Sequence, residues 1–144
     1  MKTANPRRTV LVIEDDRAVR ELLKLHLVNA GYNVLLAEDV VVGGPMLLEQ
    51  KPDLLVIDAK LPYLSGIDFV ATLTADSTAP CPPVIFITGH EELSVKAHAL
   101  SGACLVKPFL ANDLLELVFK LLGAPAASEA GIRRNRSARQ PQAR

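Results

Sequence analysis

Four groups of polar residues stand directly behind short apolar runs, and their types could do chemistry together. Glu14, Asp15 and Asp16 close the run Val10–Ile13, and Asp58 closes Leu54–Ile57. Thr88 closes Val84–Ile87, and Lys107 closes Cys104–Val106. Carboxylates brought together repel one another, and unassisted at least one tends to stay protonated. A hard divalent cation relieves the repulsion. Mg²⁺ suits the role, because it takes oxygen ligands while keeping several of its waters. Acids, a cation, a lysine and a hydroxyl make a pocket fit for a phosphoryl group in transit. The chain carries no Walker-type phosphate loop, so nucleotide binding is not implied.

The pattern of elements says how these residues could meet. Val10–Ile13, Val34–Ala37, Leu54–Ile57, Val84–Ile87 and Cys104–Val106 read as strands. Ala18–Ala30, Gly66–Leu73, Leu93–Leu100 and Ala111–Leu122 read as helices. Gly31 stops the first helix and Gly123 the last, while Asn112 or Asp113 lies near the last helix's cap. Asp16 reads as the cap of the first helix in preference to a ligand. Val40–Pro45 is poor helix material, with three β-branched residues, two glycines and a proline. A short helix over Met46–Gln50, with Pro45 at its first position, is the most this stretch offers. Ser77–Pro83 reads as a loop.

Five βα units with strands apolar on both faces predict a doubly wound α/β fold, its parallel sheet covered by helices on both sides. Right-handed crossovers put every strand's C-terminal end on one rim, where open α/β sheets bind ligands. Neighbouring first and third strands would gather Glu14, Asp15 and Asp58.

Composition narrows the reading further. The chain has 144 residues, 49% of them hydrophobic, which fits one domain with a substantial core. Its formal net charge of zero hides an asymmetry. Residues up to Gly123 carry 11 basic and 15 acidic side chains, whereas the remainder carries five arginines and one glutamate. A globally basic nucleic-acid binder and an acidic disordered chain are both disfavoured. Cys81 and Cys104 form no ligand spacing, so zinc is unsupported and buried thiols are the default. No run of about 18 apolar residues could span a membrane, and MKTANPRR is no signal peptide. A cytoplasmic protein is expected. Residues 1–8 read as an extension, 9–123 as the folded body, and 124–144 as a basic, disordered tail or linker remnant.

Four segments, VLVIEDD (Val10–Asp16), DLLVIDAKLPYLSG (Asp53–Gly66), VIFITG (Val84–Gly89) and LVKPF (Leu105–Phe109), together resemble the response-regulator receiver domain of two-component signalling. The resemblance implies a flavodoxin-like strand order 2-1-3-4-5 and a phosphoryl group accepted by Asp58 from a sensor histidine kinase or phosphotransfer protein. It further implies Mg²⁺ held by Asp15, by Asp58, by the Lys60 backbone carbonyl, and by Glu14 through water. Lys107, before a cis proline bond, would contact a phosphoryl oxygen. Thr88 would move to hydrogen-bond the group and so change a partner-binding face.

Cys104 departs from the pattern. Relatives usually carry Tyr or Phe at this switch position, three residues before the lysine, and Cys104 puts the aromatic half of the switch in question. A pseudo-receiver that binds proteins without phosphorylation is the alternative reading. A flavodoxin-like cofactor carrier would want a Ser/Thr/Gly-rich loop after the first strand, where this chain has acids. No output domain fits after Gly123, and the body itself is not expected to touch nucleic acid or membrane.

Overall fold

The computed structural model describes residues 7–76, 78 and 81–123. Among them β1 (Thr9–Ile13), α1 (Arg17–Asn29), β2 (Asn33–Ala37), α2 (Val40–Gln50) and β3 (Leu54–Asp58) come first. They are followed by α3 (Gly66–Ala75), β4 (Val84–Thr88), α4 (Glu91–Ser101), β5 (Cys104–Val106) and α5 (Ala111–Leu122). The expected tail at 124–144, most of the N-terminal extension and residues 77, 79 and 80 of the expected loop lie outside the described residues.

The strands form one parallel sheet in the order β2-β1-β3-β4-β5, as anticipated. Strand alternation divides two cores between its faces. Val10, Val12, Leu54, Val56, Ile85 and Ile87 pack with Leu23 and Leu27 of α1 and with Leu114, Val118 and Leu122 of α5. Leu11, Ile13, Leu55, Ile57, Val84 and Phe86 pack on the other side with Leu47 of α2, Val70 of α3 and Ala97 of α4. Both faces are buried, which is why these strands read as unbroken apolar runs.

Short polar side chains start three of the helices. Asp16 Oδ1 accepts from the Val19 N–H at 3.2 Å, Asp39 Oδ1 from Val42 at 2.9 Å, and Ser65 Oγ from Asp68 at 3.0 Å. In α5 the cap position is Leu110, and Asp113 reaches back to accept from its N–H at 3.3 Å. The acid near this terminus therefore acts from the third helical position rather than as the cap.

The reading of Val40–Pro45 as poor helix material is corrected. One helix runs from Val40 to Gln50 with Pro45 inside it. Tertiary packing overrides propensity here. A Cβ on Gly43 would fall 2.5 Å from Ile13 Cδ1 and 3.3 Å from Ala37 Cβ, so the glycine lets α2 sit directly on β1 and β2. Pro45 is exposed, and the Val41 carbonyl that loses a helical donor to it can take one from water.

Gly66 serves the same purpose at the end of β3. Its N–H donates to the Ala59 carbonyl at 3.0 Å, and a Cβ there would overlap the Asp58 backbone carbonyl. Helix propensity alone would favour alanine by about 1 kcal/mol; backbone overlap reverses the sign. Gly66→Ala should lower the unfolding free energy by about 2–4 kcal/mol in urea denaturation. Unchanged or higher stability would mean that α3 and β3 approach less closely than described.

Candidate functional site

The strand order reverses between β1 and β3, since the chain leaves β1 for β2 on one side and continues from β3 to β4 on the other. A crevice opens at the strand C-terminal ends there. Glu14, Asp15, Asp58, Lys60 and Lys107 all line one cavity of about 520 Å³, together with Asp16, Leu61, Pro62, Gly89 and His90. Five of the seven expected site residues are thus brought together by the ends of β1, β3 and β5.

Lys107 stands between two buried carboxylates. Its Nζ donates to Asp58 Oδ2 at 2.9 Å and lies 2.9 Å from Glu14 Oε1. The contact with Glu14 is ionic but poorly aligned as a hydrogen bond, so Oε1 is a buried acceptor without an aligned donor. The other carboxylate oxygens are held by backbone: Asp58 Oδ1 accepts from Lys60 N–H at 2.9 Å, and Glu14 Oε2 from Asp16 N–H at 3.0 Å. The lysine itself is placed by its own N–H, which donates to the Thr88 carbonyl at 2.7 Å, next to the cis Lys107–Pro108 bond.

Glu14 is 0% exposed. Burial pushes its carboxyl up from 4.5 to about 7; the Asp58 charge adds to this, against the hydrogen bond from the Asp16 N–H and the adjacent Lys107 ammonium. Burial alone would lower the Lys107 ammonium, but its hydrogen bond to Asp58 and the charges of Asp58 and Glu14 outweigh that and raise it. Glu14, Asp15 and Asp58 each offer an oxygen, and these oxygens lie within 4.8 Å of one another. Such a set suits a hard divalent cation, and the unaligned Glu14 Oε1 has capacity left for a cation-bound water.

Two expected residues lie apart from this cavity's lining. Thr88 is fully buried, and its Oγ1 accepts from His90 N–H at 3.0 Å. That contact ties it to the β4–α4 connection. Cys104 is half-buried, pairs with Phe86 across β4 and β5, and packs in the core beneath α4. Burial pushes its thiol up, so it stays protonated. Arg20 escaped the sequence reading: its guanidinium donates to the Glu14 carbonyl at 2.8 Å. The signal was its place four residues after Asp16, one helical turn inside α1.

Comparison with known proteins agrees with this geometry. The family model for the response regulator receiver domain matches residues 10–119. The chain is 36% identical over 116 residues to response regulator MprA of Mycobacterium avium, covering 78% of this chain and 50% of that protein. It is 32% identical over 131 residues to the phosphate regulon transcriptional regulatory protein PhoB of Pseudomonas aeruginosa, covering 87% and 57%. The chain therefore spans about half the length of the curated relatives it matches. Among solved structures, the chemotaxis response regulator CheY4 of Vibrio cholerae superposes with a TM-score of 0.73 at 25% identity, covering 81% of this chain and all of that one. With the family model covering most of the chain and the β1–β3 crevice carrying the acids and lysine, this protein belongs to the response regulator receiver domain family.

Proposed function

We propose that residues 9–123 form a phospho-accepting receiver, with Asp58 as acceptor and a histidine kinase or phosphotransfer protein as donor. The observation that carries this reading is Lys107 Nζ at 2.9 Å from both Asp58 and Glu14. An Asp58 oxygen attacks phosphorus, the P–O bond forms as the P–N bond to the donor imidazole breaks, and the imidazole departs with its proton. Lys60 N–H and Lys107 fix the Asp58 carboxylate for that attack. When the phosphoryl group arrives, Lys107 can exchange its Asp58 contact for a phosphoryl oxygen without leaving the cavity.

Asp15, Asp58, the Lys60 backbone carbonyl and, through water, Glu14 are the proposed ligands of Mg²⁺. The bound ion would offset charge on the transferring oxygens. Thr88 must give up its contact with His90 to reach the phosphoryl group, which couples chemistry to the start of α4. With Cys104 in place of a ring, that hydroxyl acts without an aromatic partner. This same substitution favours the pseudo-receiver as a second reading.

The relatives' names describe regulators of transcription or response, and we assign such output to protein partners or segments outside residues 9–123. No helix among the described residues is long and apolar enough to cross a membrane, which is compatible with a cytoplasmic role.

Acetyl phosphate with Mg²⁺ should add the mass of one phosphoryl group, read by intact mass spectrometry. EDTA should prevent the gain and Asp58→Asn should remove it. No gain under any condition would favour the pseudo-receiver.

Proton linkage supplies a second check. Glu14 titrates near 7 in the folded protein, above its ordinary 4.5, so the folded state holds the extra proton between those values. Its contribution is therefore favourable at low pH and is lost as pH rises through that window. In EDTA, the natural protein should lose about 3 kcal/mol more than Glu14→Gln between pH 4.5 and about 7. Mg²⁺ should restore most of that loss in the natural protein. Parallel pH profiles for the two proteins would contradict the buried-acid account.

A further inference from the structure

We propose that Arg20 is a positioning residue for the divalent-cation site, fixing the acidic pair Glu14–Asp15 through its backbone. The inference rests on the reading of Glu14, Asp15 and Asp58 as cation ligands. Arg20 lies one turn into α1, where its own N–H donates to the Asp16 carbonyl at 2.9 Å. Its half-buried side chain turns back toward the strand. Nη1 donates to the Glu14 carbonyl at 2.8 Å and lies 3.5 Å from the Asp15 carbonyl.

Position in the chain explains why such a clamp matters. β1 ends at Ile13, so Glu14 and Asp15 lie beyond the last paired residue of their strand. The Glu14 N–H still donates to Ala37 at 3.0 Å, and Oε2 is held by Asp16 N–H. The Arg20 contact fixes the remaining carbonyl, so the peptide between Glu14 and Asp15 is held in one orientation. That orientation sets the direction of the Asp15 Cα–Cβ bond. Among the described residues the exposed Asp15 carboxylate has no hydrogen bond or ion pair of its own, so backbone alone aims it at the cluster. Removing a group that orients a ligand commonly costs 10–100-fold in metal affinity.

The proposal opposes simple electrostatics in sign. A guanidinium near a cation site repels the cation, so deleting its charge should tighten binding if charge were its role. Deleting a clamp should weaken binding. These expectations separate in calorimetric Mg²⁺ titrations of the full chain and its variants. Arg20→Met should weaken Mg²⁺ at least about tenfold, and Arg20→Lys, which keeps one donor, should fall between it and the natural protein. Asp53→Ala controls for general destabilisation. It loses a hydrogen bond to Thr9 N–H at the opposite end of the strands and should leave Mg²⁺ affinity unchanged.

A metal-free readout accompanies the titration. In EDTA, Arg20→Met should speed amide hydrogen exchange at Asp15 and Asp16, while the core strands of Asp53→Ala and Arg20→Met exchange alike. Unchanged or tighter Mg²⁺ binding by Arg20→Met would overturn the proposal while leaving the cation site standing. Absence of Mg²⁺ binding by the natural protein would instead overturn the cation reading and the proposal with it.

Discussion

The Lys107 ammonium sits 2.9 Å from Asp58 and 2.9 Å from Glu14, and the two acids come from different strands. Two carboxylates this deeply buried repel each other, and each loses the hydration that would stabilise it. One lysine meets both acids and offsets part of the penalty, leaving the Glu14 carboxyl raised to about 7, so β1, β3 and β5 must end within reach of one side chain. Removing a partner from a buried pair typically costs about 3–5 kcal/mol, because it strands the remaining charge. The arrangement therefore constrains the fold as strongly as it shapes the pocket.

Parallel pairing meets that constraint. The register of Leu11 with Leu55, and of Ile57 with Phe86, levels the strand ends, and the reversal of order between β1 and β3 opens the crevice above them. The helices then crowd in wherever the backbone allows. Gly43 brings α2 onto β1, and Gly66 brings α3 against the Asp58 carbonyl. The approach at Gly66 bears on the end of β3, which carries Asp58, while Thr88 accepts from the His90 N–H at the start of the β4–α4 connection.

Much of this was legible in the sequence because it depends on local pattern. Apolar runs bounded by acids, a threonine and a lysine announced the strands and their shared rim, and Asp16 announced the cap of α1. Less legible were features decided by approach between distant segments. Val40–Pro45 looks unfit for a helix until Gly43 is seen to face Ile13. Arg20 looks like a surface helix residue until its side chain is seen to fold back on Glu14. The position of Thr88 could be read, but its tie to His90 could not, since that depends on how the β4–α4 connection turns. Cys104 was visible as a departure from the family pattern, and the structure places it in the core beneath α4 without a ring to move.

A receiver account makes the Lys107–Asp58–Glu14 cluster a site poised for a tetrahedral anion joined to one Asp58 oxygen. Beryllofluoride reproduces that group without chemical turnover, and fluorine NMR detects it directly. The account requires a protein-bound fluoride signal that appears only with Mg²⁺, is abolished by Asp58→Asn, and is weakened by Lys107→Met. A bound signal that survives Asp58→Asn, or none in the natural protein with Mg²⁺ in excess, would contradict it.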